Sequence, residues 1–197
     1  MRLYCATSNP GKLREFSLVA GQDWEFVPLA GIPPCEETGE TFEENAVRKA
    51  VHYSRHAPGL LFAEDSGLEV DALGGAPGVR SARFAGDGAS DADNSRVLIE
   101  KLIGVSNRSA RYVSVIALAE AGRELRTFHG EVAGKIVDAP QGMNGFGYDP
   151  HFYYEPLGIT FAEASAEQKL QVSHRGRALA KMLEWLSARA RGECPCP

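Results

Sequence analysis

Two adjacent acids, Glu64 and Asp65, follow an apolar run at residues 60–63 and precede Ser66 and Gly67. Four apolar residues before a turn signal predict a strand that is buried on both faces and ends at the acids. Open α/β sheets bind ligands in the crevice beyond the carboxyl ends of such strands. Mg²⁺ is usually held by one or two carboxylates together with substrate phosphates, so these acids could be its protein ligands. The sequence thus indicates a metal site, and a structural Asp-Ser-Gly turn is the alternative.

A second candidate is the segment 7–12, Thr-Ser-Asn-Pro-Gly-Lys, which lies between an apolar run at 3–6 and apolar residues at helical spacing. This order predicts a strand, a loop and a helix, with Asn9 as N-cap and Pro10 at the first helical position. The free N–H groups of the helix start would then face the loop and attract phosphate. Lys12 lies in the first turn, where a positive charge is unfavourable unless an anion is close. A solvated lysine is the alternative interpretation.

A predicted helix leads from the N-terminal part of the chain towards the two acids. Thr41 and Glu44 match a capping box, which predicts a helix from residue 42 to about residue 56. Asn45, Lys49 and His52 share one polar stripe of this helix, opposite an apolar face. The stripe faces either solvent or the site of Glu64 and Asp65, which follows this helix in the chain.

The C-terminal third contains two further helix starts that carry cations. A capping box that begins at Ser165 predicts a short helix containing Lys169, and Ser173 begins a longer helix. His174 and Arg175 would place two cations at the positive end of that longer helix. Each costs roughly 0.3–1 kcal/mol there if exposed, so they are better placed facing an anion or a carbonyl oxygen.

The intervening residues predict most of a sheet and one long loop. The predicted elements are a short strand at 24–28, an alternating strand at 68–73, a glycine-rich turn at 74–78, a helix capped by Asp91, and a hairpin of strands at 112–119 and 125–133 that residues 134–137 could extend. Arg80 and Arg83 follow the glycine-rich turn. The loop 138–150 holds Phe146 and Tyr148 among glycines, where no core packing demands them, and long loops tend to be functional.

Composition limits the class of protein. The chain has 197 residues with 44% hydrophobic residues and a formal net charge of −5, which predicts one domain over 1–197 with a frayed tail at about 192–197. The net charge argues against binding to nucleic acid. No apolar stretch is long enough for a membrane span or signal peptide, so a cytoplasmic protein without a membrane partner is expected. The four cysteines are then free thiols.

Six of these motifs, in this order, resemble the inosine/xanthosine triphosphate pyrophosphatase family, which removes deaminated purine nucleotides from the nucleotide pool. The motifs are the segments 7–12, 42–46, 64–68, 74–78, 145–150 and 173–176. The resemblance covers nearly the whole chain. It implies an α/β fold, an elongated two-lobed single domain with a long mixed central β-sheet flanked by helices. It also implies Mg²⁺ dependence and a homodimer.

The resemblance also implies residue roles. The phosphate-binding loop would consist of Thr7, Ser8, Asn9, Pro10, Gly11 and Lys12. Asp65 would be the metal-linked general base, with Glu37 and Glu64 as further metal-associated acids, Ser66 contacting the substrate and Lys49 acting near the phosphates. The base-binding pocket would be formed by Phe146, Gly147, Tyr148, Asp149, Lys169, His174 and Arg175.

The implied reaction is hydrolysis of ITP, dITP or XTP to the monophosphate and pyrophosphate, with water attacking the α-phosphorus. Deaminated purines carry a carbonyl at C6 and an N1–H donor, where adenine has an amine and an acceptor. Arg175 or a nearby backbone N–H could donate to that carbonyl oxygen. Two alternatives remain: a pyrophosphatase for altered pyrimidine nucleotides, and a non-catalytic nucleotide-binding module.

Overall fold

A mixed seven-stranded sheet organises the protein, whose computed structural model describes residues 1–7, 9–19, 24–29 and 31–193. The strands are β1 (Arg2–Ala6), β2 (Glu25–Pro28), β3 (Leu61–Val70), β4 (Ser109–Glu120), β5 (Arg123–Ile136), β6 (Phe152–Tyr154) and β7 (Ile159–Thr160). The helices are α1 (Pro10–Val19), α2 (Phe42–Ser54), α3 (Asp91–Lys101), α4 (Ala166–Val172) and α5 (His174–Ala190). Ser8, part of the predicted phosphate loop, and the tail at 194–197 lie outside the described residues.

The strand order is β2-β1-β3-β4-β5-β6-β7. The first three strands are parallel, and every pair from β3–β4 onwards is antiparallel. The predicted α/β class with a mixed sheet flanked by helices is confirmed. The predicted hairpin is also confirmed and is longer than expected, because residues 134–136 extend its second strand. No helix of the described residues combines the length and apolar character that crossing a membrane requires.

The strand that carries the two acids does not end where the sequence predicts. β3 runs without interruption through Glu64 and Asp65 to Val70, so the predicted strand at 68–73 is its continuation, and residues 71–73 form a 3-10 turn. It is β1 that stops, since its last pairing with β3 is Ala6 with Ala63. Beyond that point β4 is the only strand of the described residues that pairs with β3, and an isolated bridge joins Glu69 to Pro77 further along. The crevice therefore opens beside a free edge of β3, and the prediction of a strand end was wrong because paired buried acids can continue a strand.

Side chains of β3 alternate between two differently covered faces, as the strand period requires. Phe62 packs with residues of α1 and α5. Leu61 and Ala63 pack with residues of α2 on the opposite face. A third apolar cluster, which includes Leu68, covers the far end of the sheet with residues of α3.

The helix starts follow the predicted caps with one correction. Asn9 Oδ1 accepts hydrogen bonds from the backbone N–H groups of Gly11 (2.8 Å) and Lys12 (3.1 Å). Thr41, Ser165 and Ser173 cap α2, α4 and α5 as predicted, although α2 ends at Ser54 rather than near residue 56.

The correction concerns α3, where Ser90 and not Asp91 is the N-cap. Ser90 and Asp93 form a reciprocal capping box, with Ser90 three residues before Asp93. Asp91 is thereby free to accept a hydrogen bond from the Gly147 backbone N–H at 2.7 Å. The cap of one helix thus releases a side chain that holds the predicted base-binding loop.

Candidate active site

A cleft of about 770 Å³ lies along the free edge of β3. Most of the predicted site residues line it: Thr7, Asn9, Lys12, Glu37, Lys49, Glu64, Asp65, Ser66, Phe146, Gly147, Tyr148, Asp149, Lys169, His174 and Arg175. Pro10 and Gly11 belong to the first turn of α1 and do not line the cleft. Side chains that are distant in sequence thus line one cavity, and its volume is typical of small-molecule binding sites.

One end of the cleft is built around Lys49, whose ammonium group lies between two carboxylates. Its Nζ is 3.0 Å from Asp65 Oδ1 and 3.2 Å from Glu37 Oε2. Burial would lower the pKa of Lys49, but Asp65 and Glu37 outweigh it and raise that pKa. Burial raises the pKa of Asp65 above its ordinary value, although Lys49 and Lys12 oppose the shift. Asp65 Oδ2 is buried without a hydrogen-bond partner.

The loop that carries Glu37 is held by the polar stripe of α2. Asn45 Oδ1 accepts a hydrogen bond from the Gly39 N–H at 2.8 Å, and His52 Nε2 lies 3.0 Å from the Pro33 carbonyl oxygen. Arg48, from a neighbouring position, donates to Thr38. The stripe is therefore directed at the loop beside the site.

Asp65 and Glu37 have the oxygen ligands that a hard cation requires when it binds together with a phosphate-bearing substrate. Within the described ranges no three His, Cys, Asp or Glu side chains gather into a group that could hold a metal by themselves. Mg²⁺ needs only one or two carboxylates when substrate phosphates and water complete its shell. The unpartnered Oδ2 of Asp65 and the partly exposed Glu37 meet that requirement.

Glu64 has different surroundings, on the α1 and α5 side of the strand. Its Oε2 lies 2.6 Å from Lys12 Nζ, and its Oε1 accepts from Ser114 Oγ (2.8 Å) and Arg175 Nε (3.2 Å). Burial would raise the pKa of Glu64, but Arg175 and Lys12 hold it well below its ordinary value. Glu64 is thus the anion that the position of Lys12 requires, and both of its oxygens already face cations.

The other end of the cleft is formed around the ring of Phe146. Lys169 Nζ and the Arg175 guanidinium carbon lie 4.9 Å and 5.4 Å from its centroid, within the range of cation–π attraction. A Cβ on Gly11 would lie 2.6 Å from Phe146 Cδ1. The glycine therefore allows the ring to pack directly on the first turn of α1.

The Phe146 loop is fixed by its own acid. Asp149 Oδ2 accepts from the Phe146 backbone N–H at 2.9 Å and from Lys169 Nζ at 2.5 Å. Tyr148 corrects the expectation that the loop's two aromatics have no packing role. It is buried in an apolar cluster and its hydroxyl donates to the Ser81 carbonyl. Phe146 is the more accessible of the two rings.

The start of α5 carries one cation at neutral pH rather than the two predicted. Burial, reinforced by Arg175 and Lys169, holds the pKa of His174 well below its ordinary value of 6.5. The neutral ring stacks on Tyr112, with centroids 4.7 Å apart, and its Nδ1 has no hydrogen-bond partner. Arg175 faces the carboxylates of Glu15 and Glu64, as a cation at a helix start should.

Sequence reasoning missed Glu15, a buried acid of α1. Its Oε1 lies 2.7 Å from Lys169 Nζ, and its carboxylate also pairs with Arg175. Glu15 therefore joins α1, α4 and α5 beneath the cleft. Arg175 and Lys169 hold its pKa below the ordinary value against the effect of burial. Nothing local marks it in the sequence, where a glutamate on an amphipathic helix indicates a solvated face.

Comparisons with known proteins agree across the chain. A family model described as the Ham1 family matches residues 3–185. The dITP/XTP pyrophosphatase of Acidobacterium capsulatum is 50% identical over 196 residues, covering 93% of this chain and 97% of that protein. The corresponding protein of Syntrophobacter fumaroxidans is 46% identical over 206 residues, covering 97% of this chain and 87% of that one.

Solved structures give the same result. The Staphylococcus aureus Ham1 protein superposes with a TM-score of 0.86 at 40% identity, covering 96% of this chain and all (100%) of that one. A Mycobacterium abscessus protein described as a nucleoside-triphosphatase / dITP/XTP pyrophosphatase gives a TM-score of 0.73 at 41% identity, covering 93% of this chain and 99% of that one. The similarity therefore includes both the sequence and the three-dimensional fold.

Proposed function

The chain belongs to the Ham1 family, and from this premise we propose that it hydrolyses deaminated purine nucleoside triphosphates, namely ITP, dITP and XTP, to the monophosphate and pyrophosphate. It is then a nucleoside triphosphate pyrophosphatase, a hydrolase acting on acid anhydrides. The observation that carries the proposal is the unpartnered Oδ2 of Asp65, buried in a cleft that also holds an accessible aromatic ring.

Asp65 is the general base of the proposed reaction. Water attacks the α-phosphorus, its proton passes to the Asp65 carboxylate, and pyrophosphate leaves. The raised pKa of Asp65 supports this role, because a base is most effective when its pKa approaches the working pH. Lys12 and Lys49 stabilise the charge on the departing pyrophosphate, a reaction in which positioning and electrostatics supply most of the catalysis.

Mg²⁺ is the proposed cofactor, with Asp65 and Glu37 as its ligands from this chain. When bound it neutralises phosphate charge and orients the leaving group. Glu64 is the third acid in the proposed metal set, and its two oxygens are shared with Lys12, Arg175 and Ser114. Its part is therefore to neutralise Lys12 and Arg175, and direct ligation of the metal would require that Lys12 move aside.

The Phe146 end receives the base. The ring can stack on a purine, and Lys169 Nζ and the Arg175 guanidinium carbon lie 4.9 Å and 5.4 Å from the ring centroid. Arg175 or a backbone N–H donates to the C6 carbonyl of hypoxanthine or xanthine, and the neutral His174 offers one donor and one acceptor. Adenine would leave these polar groups unpaired, which is a strong source of rejection.

We also propose that the enzyme acts in the cytoplasm as a homodimer, without nucleic-acid or membrane partners. The net charge of −5 supports the absence of a nucleic-acid partner. Sedimentation velocity at several protein concentrations tests the dimer, and a single species of monomer mass would contradict it.

The deciding experiment measures pyrophosphate release from ITP, XTP, GTP, UTP and ATP, with and without Mg²⁺. The wild type is compared with Asp65→Asn and with a control at an exposed acid, Asp87→Asn. We expect fast, metal-dependent turnover of ITP and XTP that only Asp65→Asn abolishes. Preference for UTP would favour the pyrimidine alternative, and binding of ITP without any turnover would favour a nucleotide-binding module.

A further inference from the structure

Five lysine and arginine side chains line the cleft, and four of them face carboxylates. Lys12 pairs with Glu64, Lys49 with Asp65 and Glu37, Lys169 with Glu15 and Asp149, and Arg175 with Glu15 and Glu64. Arg83 is the fifth. Among the residues that the structure describes, its side chain has no hydrogen-bond, ion-pair or aromatic partner. Within the described part of the chain, its charge is the one in the cleft wall that no carboxylate offsets.

The backbone that carries Arg83 is held on both sides. Asn94 of α3 is buried, and its Nδ2 donates to the Ala82 carbonyl at 3.2 Å while its Oδ1 accepts from the Ala85 N–H at 2.8 Å. Ser81 Oγ accepts from the Leu68 N–H of β3 at 2.9 Å. The segment is thus attached to both α3 and β3, although the Arg83 side chain itself has no partner.

This combination differs from that of an ordinary surface arginine. The side chain of Arg83 is half-buried in the wall of the cavity that also contains Asp65 and Lys49. A cation paired with a carboxylate shares its charge and donors, whereas an unpaired guanidinium offers five N–H donors in a planar fork that matches phosphate oxygens. A fixed backbone also lowers the ordering cost when a ligand is bound.

We propose that Arg83 is a substrate-binding residue that contacts the triphosphate of the bound nucleotide. The inference rests on the proposed function for the identity of that substrate. The triphosphate carries most of the substrate's negative charge, and the paired cations of the cleft are already balanced by acids. Arg83 supplies the uncompensated positive charge that holds the phosphates against β3.

Inorganic triphosphate tests this contact, because it carries the phosphate chain without base or sugar. Its dissociation constant, measured by titration calorimetry with Mg²⁺, should rise about 10- to 100-fold in Arg83→Ala, the range for a charge-assisted hydrogen bond. Arg83→Lys should lose less affinity for inorganic triphosphate, since lysine keeps the positive charge but not the planar set of N–H donors. Arg80→Ala is the matched control, because Arg80 is exposed on the 3-10 segment Gly78–Arg83 that also carries Arg83, and it does not line the cleft. It should bind within about twofold of wild type.

Hydrolysis provides the second measurement. Arg83→Ala should lower kcat/KM for ITP and GTP by the same factor, which leaves their ratio unchanged. An unaltered dissociation constant for inorganic triphosphate in Arg83→Ala would overturn the inference, as would a wild type that does not bind this probe. A changed ITP to GTP ratio with unaltered triphosphate binding would instead place Arg83 against the base.

Two controls separate folding and function from the inference. If Arg83→Ala fails to fold, Arg83→Lys is the deciding variant. Wild-type affinity of Arg83→Lys for inorganic triphosphate would then overturn the proposed contact through the guanidinium group. If the wild type binds inorganic triphosphate in an Arg83-dependent way but hydrolyses no nucleotide, the proposed function fails and the phosphate contact stands.

Discussion

Glu64 and Asp65 are neighbours in the chain, yet their carboxylates lie on opposite faces of β3. Glu64 is surrounded by Lys12, Arg175 and Ser114 on the α1 and α5 side. Asp65 meets Lys49 of α2 and retains one unpartnered oxygen. The first carboxylate is stabilised in its charged form and the second is not, so the two acids have different structural roles, and in the proposed reaction Asp65 has the chemical one.

The two amide variants at these positions should therefore differ in stability. Glu64→Gln removes a buried charge from its cations and should lower the free energy of unfolding by about 3–5 kcal/mol. Asp65→Asn should change it little or raise it, because burial disfavours the charged form of Asp65. Urea unfolding of both variants at pH 7 measures the difference. A larger loss for Asp65→Asn than for Glu64→Gln would contradict this division of roles.

Glu15→Gln should loosen the base end of the cleft from beneath. After this substitution Lys169 still pairs with Asp149 and Arg175 still pairs with Glu64. We therefore expect the free energy of unfolding to fall by about 2–4 kcal/mol, with a lower kcat/KM for ITP. Glu100→Gln is the matched control, because it alters an exposed pair with Arg96 that should contribute about 0.3–0.5 kcal/mol. Equal unfolding midpoints for the two variants would show that the buried network contributes nothing.

His174 should make stability depend on pH below its ordinary pKa of 6.5. Its pKa is depressed in the folded protein by burial, Arg175, Lys169 and Lys12, with Glu64 opposing. As the pH falls below 6.5, the unfolded chain gains a proton that the folded protein does not. This contribution is present in full above 6.5 and is lost at about 1.4 kcal/mol per pH unit below it.

The variant His174→Phe keeps a ring against Tyr112 and removes the titrating group. Its unfolding free energy should vary less with pH over this range than that of the wild type. His56→Phe, at an exposed histidine, should retain the wild-type slope. Parallel pH curves for wild type and His174→Phe would refute the assignment.

Gly11→Ala should displace the Phe146 ring, because the added Cβ would lie 2.6 Å from Phe146 Cδ1. A shift of the stacking surface should lower kcat/KM for ITP about 10- to 100-fold. Stability should change by less than about 1 kcal/mol, since alanine favours the helix as much as the contact opposes it. Gly59→Ala, which meets no atom within 4 Å, should leave both kinetics and stability as in the wild type.

Local signals in the sequence were sufficient for elements whose rules are local. The caps at Asn9, Thr41, Ser165 and Ser173 depend on residues within one turn, and the hairpin depends on strand alternation beside a short turn. The candidate residues come from four of the six motifs and from Glu37, Lys49 and Lys169 outside them. They line one cleft, apart from Pro10, Gly11 and the undescribed Ser8.

What could not be predicted depends on partners distant in sequence. The continuation of β3 through two acids requires Lys12, Lys49 and Arg175, none of which is near them in the chain. The neutral state of His174 follows from burial and neighbouring cations, and the role of Glu15 follows from the meeting of three helices. Asp91 was mistaken for a cap because the adjacent Ser90 and Asp93 satisfy the same pattern better.

The long ladder between β3 and β4 sets a constraint beyond stability. Ten consecutive residue pairs, including Asp65 with Val115, join the two strands. Because side chains alternate, a slip of one residue would turn Glu64 towards Lys49 and Asp65 towards Arg175. The register of this ladder therefore decides which carboxylate faces Lys49 and the proposed phosphate site. Insertion of a single residue before Glu64 would exchange the faces of the two acids while leaving every side chain of the site present.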